Sequence, residues 1–302
     1  MRTAFCQSMI TLYERQPFVF LTGDLGYGAL EPLRDVMGDH FINAGVAEQN
    51  MVTMAAGLAG LGFLVWVYSI APFCYARPFE QIRNDICMHG LPVVLVGNGG
   101  GYGYGIMGPS HHALEDYGVL LTLPGLQAVV PAFRQDLEDA VAYLAGLGSP
   151  AYLRLGRCEC TPGYQPPTFA PWRQLTVGAG PVVVAVGPLA GSLLESFCSI
   201  PQDRRPEMWS LSAFSLGGEL IPADLRESLI RKPRLLVVEE HVAQGSVGQA
   251  MAYALVKEGI VLQSFSHHFA VGYPSGLYGS QAFHRRESGL DPDSILHVIM
   301  GL

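Results

Sequence analysis

Charge is scarce in this chain. Of its 302 residues only 15% are charged, 18 basic against 26 acidic, for a net charge of −8. The basic residues form no run, which excludes a surface built for nucleic acid or an anionic membrane. Paired CxxC spacing is absent as well. Cys6, Cys74, Cys87, Cys158, Cys160 and Cys198 lie mostly in apolar contexts and read as free core thiols of a reducing cytoplasm. Cys158-Glu159-Cys160 suggests zinc on spacing alone, but no second cysteine pair or nearby histidine completes a ligand set. The opening MRTAFCQSMITLYERQ lacks the apolar centre and cleavage site of a signal peptide. Residues 52–76 carry no charge and have the length of a membrane span, but Gly57, Gly60 and Gly62 interrupt them and Pro72 follows. A buried helix ending at Gly62, then a strand over 64–68, accounts for them better.

Hydrophobic residues make up 49% of the chain, and a length of 302 exceeds one ordinary core, so two domains are expected. Near-continuous apolar runs at 18–22, 64–68, 92–97, 127–131 and 151–155 read as buried parallel strands. Helical patterns at 48–61, 78–89, 111–121 and 134–147 alternate with them. Four prolines then crowd residues 156–172 and read as a linker without regular structure. A second set of strand-like runs follows at 181–187, 206–212, 234–240 and 261–265. No internal repeat is visible. The expected architecture is two three-layer α/β/α domains with mostly parallel sheets, at 1–157 and 179–302, joined by a proline-rich segment at 158–178.

Within INAGVAEQNMVTMAAGLAGLGF, residues 42–63, the single charge is Glu48. A carboxylate among small and apolar residues is costly to desolvate unless it is paired or protonated. Its place at a helix start suits an ordinary first-turn acid; the alternative is a carboxylate held in a partly dry site to bind a polarised donor. A glycine-rich loop, GNGGGYGYGIMGPSHHALEDYG, follows the strand at 92–97, where open α/β sheets bind ligands. It contains a loose G-x-G-x-x-G but no acidic residue ends a following strand, so a dinucleotide site is disfavoured. His111 and His112 at its far end are candidate acid–base or hydrogen-bonding groups. Phe73 lies just past the strand at 64–68, either a core aromatic or a platform for a planar ligand. Three such loops, each after a strand, point to one pocket.

These stretches resemble the thiamine-diphosphate-dependent transketolase family over nearly the whole chain. INAGVAEQNMVTMAAGLA is similar to the segment that carries the family's glutamate, GPSHHALED to its histidine loop, SPAYLRLGR to the close of its pyrimidine-binding domain, and RLLVVEEHVAQGSVGQA to its C-terminal domain. The resemblance implies that Glu48 hydrogen-bonds N1′ of the cofactor's aminopyrimidine and favours the tautomer that deprotonates the thiazolium. It implies that Phe73 stacks on the pyrimidine, that Tyr68 and Ile70 line the same pocket, as does the Ile106–Met107 segment, and that His111 donates to substrate oxygens, with His112, Met107 and Arg157 beside the substrate.

The family's diphosphate and Mg²⁺ motif, Gly-Asp-Gly with a later Asn, is not reproduced; the nearest strings are Gly23-Asp24-Leu25-Gly26 and Gly38-Asp39-His40. The resemblance therefore implies the C-terminal half of a split transketolase, transferring a two-carbon ketol or acyl unit. A separate N-terminal subunit would supply the Mg²⁺ and diphosphate site, in an α2β2 assembly inactive as single chains. Met107 stands where the family carries an acid that contacts a substrate hydroxyl, and Gly99 where it carries a phosphate-binding histidine; Arg157 matches its phosphate-binding arginine. These losses suggest a specialised sugar or secondary-metabolite substrate. Two alternatives are the β-subunit of a 2-oxoacid dehydrogenase and a non-catalytic subunit that kept the fold.

Overall fold

The computed structural model describes residues 1–158, 163–216 and 220–301, so Glu159 and Cys160 of the zinc reading lie outside the described residues. Among the described residues twelve strands form two sheets. The first holds β1 (Val19–Thr22), β2 (Phe41–Asn43), β3 (Val65–Ile70), β4 (Val93–Asn98), β5 (Gln127–Val129) and β6 (Ala151–Leu155). The second holds β7 (Trp172–Gln174), β8 (Val182–Val186), β9 (Glu207–Leu211), β11 (Arg234–Val238) and β12 (Ser264–His268), in the order β12-β11-β8-β9-β7. The remaining strand, β10 (Ala213–Phe214), leaves the second half and pairs antiparallel with β5, which makes the first sheet β10-β5-β6-β4-β3-β1-β2. Apart from β10 and β7, every pairing is parallel. Helices cover both faces, which is why the central strands are apolar at consecutive positions rather than at alternate ones.

The two faces of the first sheet build separate cores. Val65 and Val67 of β3 pack with Met51, Val52 and Ala55 of the Glu48–Gly60 helix. Trp66 and Tyr68 point the other way, against Phe5 and Met9 of the Arg2–Arg15 helix. This alternation follows from the period of two along a strand. It decides which residues of β3 can reach a ligand on the Glu48 side.

Several sequence expectations need correction. The proline-rich segment is not wholly irregular, because Trp172–Gln174 forms β7 on the edge of the second sheet, antiparallel to β9. An edge strand tolerates a preceding proline, since Pro171 lacks only an N–H to donate and its carbonyl still accepts from the Ser212 N–H at 2.8 Å. Arg173 of β7 is buried and forks onto Asp136, with both nitrogen–oxygen distances at 2.7 Å. The 78–89 helix is a short turn at Phe79–Gln81 running into a π-helical turn at Ile82–Cys87. Of 111–121 only Asp116–Leu120 is helical, and the last strand is Ser264–His268 rather than 261–265.

A buried polar network joins the halves. Arg154 of β6 pairs with Asp116 at 2.9 Å and donates from Nη2 to the carbonyls of Ala113 and Glu240. The Glu240 carboxylate accepts from the Tyr102 backbone N–H, Gln281 and Arg285. Burial alone would raise the Glu240 carboxyl, but Arg285, Gln281 and Arg154 together hold it below the usual carboxylate range. The neighbouring Glu239 accepts from Tyr117, His267 and the N–H groups of Val247 and Gly248.

Candidate active site

Glu48 is placed by a turn that the sequence encodes in two residues. Asn43 closes β2 and its Oδ1 accepts from the N–H groups of Asp24 and Gly45. Gly45 adopts φ +73°, a conformation that favours glycine, and turns the chain into the Glu48–Gly60 helix. Glu48 is the first residue of that helix, where the N–H ends favour an anion, and it is 4% exposed. Nη1 of Arg77 lies 2.9 Å from each of its carboxylate oxygens.

Phe73 comes from the turn after β3, on the short Ala71–Tyr75 helix. The Arg77 guanidinium carbon sits 3.9 Å above the centre of its ring. His111 approaches the same ring edge-on at 5.2 Å between centroids, and its Nδ1 is 2.9 Å from the Ser110 hydroxyl. Tyr104 tilts against His111 at 5.7 Å, and its hydroxyl accepts from Asn98 Nδ2 at 2.7 Å. The Tyr104 ring fills the space beside Gly99: a Cβ there would come within 2.2 Å of it, and Gly99 has φ +76°.

Glu48, Phe73 and His111 thus converge, and two residues that sequence reasoning passed over, Arg77 and Tyr104, complete the cluster. Arg77 had a signal: it is the first charge after Glu48 along the chain, and of opposite sign. Two predicted residues do not belong to the cluster. Tyr68 is buried in the opposite core, stacked on Phe5 at 6.0 Å, because it shares a strand face with Trp66 rather than with Val67. His112 is 3% exposed, with Nδ1 2.8 Å from the Tyr273 hydroxyl and Nε2 2.8 Å from the Gly105 carbonyl. Both nitrogens are engaged by protein, and burial lowers its pKa, so it serves as a neutral structural group joining the two halves. Ile70 is half-buried at the end of β3. Met107 is exposed on the glycine-rich loop. Arg157 is exposed and lines an adjoining cleft with Arg2, Asn98, Gly99 and Tyr104.

The gap between Glu48 and Phe73 can be tested for the group the resemblance implies. It already takes the Arg77 guanidinium, a flat, delocalised, nitrogen-bearing group that directs N–H toward the acid and sets its central carbon over the ring. An aminopyrimidine has the same features, so the residues fit that end of thiamine diphosphate. The Asp24 carboxylate, in the nearest Gly-Asp string, accepts from Asn43 and Tyr27. Among the described residues no group of three or more His, Cys, Asp or Glu side chains is placed to hold a metal ion.

Comparison with known proteins places the chain among transketolases. An apulose-4-phosphate transketolase subunit from Actinobacillus succinogenes is 27% identical over 271 residues, covering 87% of this chain and 85% of that protein. The putative transketolase C-terminal section of Methanocaldococcus jannaschii is 27% identical over 310 residues, covering 99% and 95%. Among solved structures, a split-gene transketolase described as an inactive β4 tetramer superposes with a TM-score of 0.83 at 25% identity, covering 99% of this chain and 96% of that one. The transketolase of Leishmania mexicana shares the fold, with a TM-score of 0.79 at 17% identity, and this chain covers 45% of it. The family described as the transketolase pyrimidine-binding domain matches residues 1–161, more than half of the chain, and the chain belongs to that family.

Proposed function

We propose that this chain is the C-terminal subunit of a split, thiamine-diphosphate-dependent transketolase. It acts with a separate N-terminal subunit that binds Mg²⁺ and diphosphate, in the cytoplasm and as an α2β2 assembly. The observation that carries the reading is the slot between Glu48 and Phe73, which accepts a flat nitrogenous group. Relatives of similar length named as transketolase subunits or sections support the division into two chains. When bound, thiamine diphosphate supplies the nucleophilic carbon that breaks and re-forms a carbon–carbon bond beside a carbonyl.

This chain's residues have distinct tasks in that reading. Glu48, dry and at a helix N-terminus, shares a proton with the pyrimidine nitrogen. Phe73 supports the ring. His111, with Nδ1 held by Ser110, presents Nε2 to substrate oxygens. Met107 and the Tyr104–Gly99 pairing replace polar groups that recognise ordinary sugar phosphates, so a dedicated sugar or secondary metabolite is the proposed substrate. Kinetics that favour the common pentose phosphates would remove this last element.

The test is calorimetric titration of thiamine diphosphate with Mg²⁺ into this chain alone and into its mixture with the N-terminal subunit. Tight binding only in the mixture supports the split site. Tight binding by the lone chain contradicts the placement of the diphosphate site, and absence of binding under both conditions overturns the proposal.

A further inference from the structure

Arg77 occupies the place that the cofactor's pyrimidine needs. Its guanidinium carbon is 3.9 Å from the centre of the Phe73 ring, within cation–π range and on the face a stacked ring would use. Its Nη1 is 2.9 Å from both oxygens of Glu48. A ring stacked on Phe73 and bonded to Glu48 cannot coexist with that side chain. Resting on the thiamine reading above, we propose that Arg77 is an exchangeable positioning residue: it satisfies and orients Glu48 before the cofactor arrives, and the cofactor's aminopyrimidine displaces it.

The partners' exposures give the direction of the exchange. Glu48 is 4% exposed while the Arg77 side chain is 45% exposed. A buried carboxylate needs a donor at all times, because leaving it bare carries the full desolvation penalty. A half-exposed guanidinium regains water when it leaves. Among the described residues, Arg154, Arg173 and Arg285 also pair with buried carboxylates, and their side chains are at most 7% exposed and bond to further groups besides the carboxylate. Arg77 sits on a turn between the Ala71–Tyr75 helix and Phe79, with no regular element to fix its backbone. Its position suits a side chain that leaves without disturbing the fold.

Displacement has a signature that a structural ion pair lacks. Breaking the Glu48–Arg77 bond opposes cofactor binding, so removing the arginine should strengthen binding. In the two-subunit complex with Mg²⁺, Arg77→Ala is expected to bind thiamine diphosphate about tenfold more tightly than wild type by calorimetry. Millimolar guanidinium chloride, which refills the slot, should return the variant to wild-type affinity and leave wild type nearly unchanged. Without cofactor the variant should melt at a lower temperature, since Glu48 loses its donor, and should gain more on adding cofactor. Arg77→Lys, which keeps the charge and loses the flat fork, should fall between the two and serves as the second variant if Arg77→Ala does not fold.

Unchanged or weaker binding by the variants, with wild type binding normally, overturns displacement: Arg77 would then remain in the loaded site. Failure of wild type itself to bind overturns both this inference and the thiamine reading, so the two failures are distinct.

Discussion

Two carboxylate–arginine sites in this molecule look alike in a sequence and differ in kind. At the domain junction, Asp116 and Glu240 face Arg154 and Arg285, all of them nearly inaccessible, and backbone groups and Gln281 take up further hydrogen-bonding capacity. At the mouth of the sheet, Glu48 is buried but its arginine is not, and the guanidinium carbon of that arginine lies over an aromatic ring. The first arrangement costs much to open and holds two domains in register. The second keeps one buried group satisfied by a partner that can be exchanged. Solvent access of the cation, rather than distance, separates the two pairs, since both have 2.9 Å contacts.

The comparison breaks most plainly at Arg154. Arg154→Met leaves Asp116 without its cation and two carbonyls without their donor, and is expected to cost about 3–5 kcal/mol in urea unfolding. An equal result for Arg77→Ala would abolish the distinction. Glu48→Gln should leave the fold intact and cofactor binding nearly unchanged, while turnover by the reconstituted complex falls roughly 10²–10⁴-fold. Retained turnover would show that Glu48 is only a helix-start acid. Gly99→Ala asks whether the Tyr104 packing is rigid. With φ +76° and Tyr104 in contact range, it is expected to cost on the order of 1–3 kcal/mol by chemical denaturation.

Acid sharpens the same contrast. Burial lowers the pKa of His112, His241 and His284 from 6.5, and their neutral forms belong to the native state. Stability from these groups is complete above that value. As pH falls below it, the unfolded chain binds more protons, and stability declines until each native pKa is passed. Thermal melts should therefore drop between neutral pH and pH 5, and His112→Gln should flatten part of the slope. The smallest expected effect is Tyr104→Phe, which removes the acceptor of Asn98 and should cost about 0.5–1.5 kcal/mol. Its interest lies in whether KM for substrate changes while cofactor affinity does not.

Much of this was legible in the sequence where one residue dominates its neighbourhood. Glu48 stands out because no other charge lies near it, and the strands stand out because strands buried on both faces have no polar side. Tyr68 misled because proximity along the chain said nothing about which face of β3 it takes. Trp66 and Val67 fix that face, and parity assigns Tyr68 to the core behind the sheet. His112 misled for a different reason: its partners Tyr273 and Gly105 come from two halves of the chain, a pairing no local pattern records. The strand after Pro171 was hidden by proline density, although its central residue Arg173 needed a buried partner and found Asp136.

The small strand β10 has a consequence for how the chain is made. The family match ends at residue 161, yet the first sheet gains its last strand only from Ala213 and Phe214. During synthesis the first half emerges and can collapse early, but β5 stays without one neighbour until residue 214 has cleared the ribosome. A gene cut at the family boundary would yield a product with that flank permanently bare, open to pairing with other chains. The natural place to divide this polypeptide is therefore not where its sequence families divide.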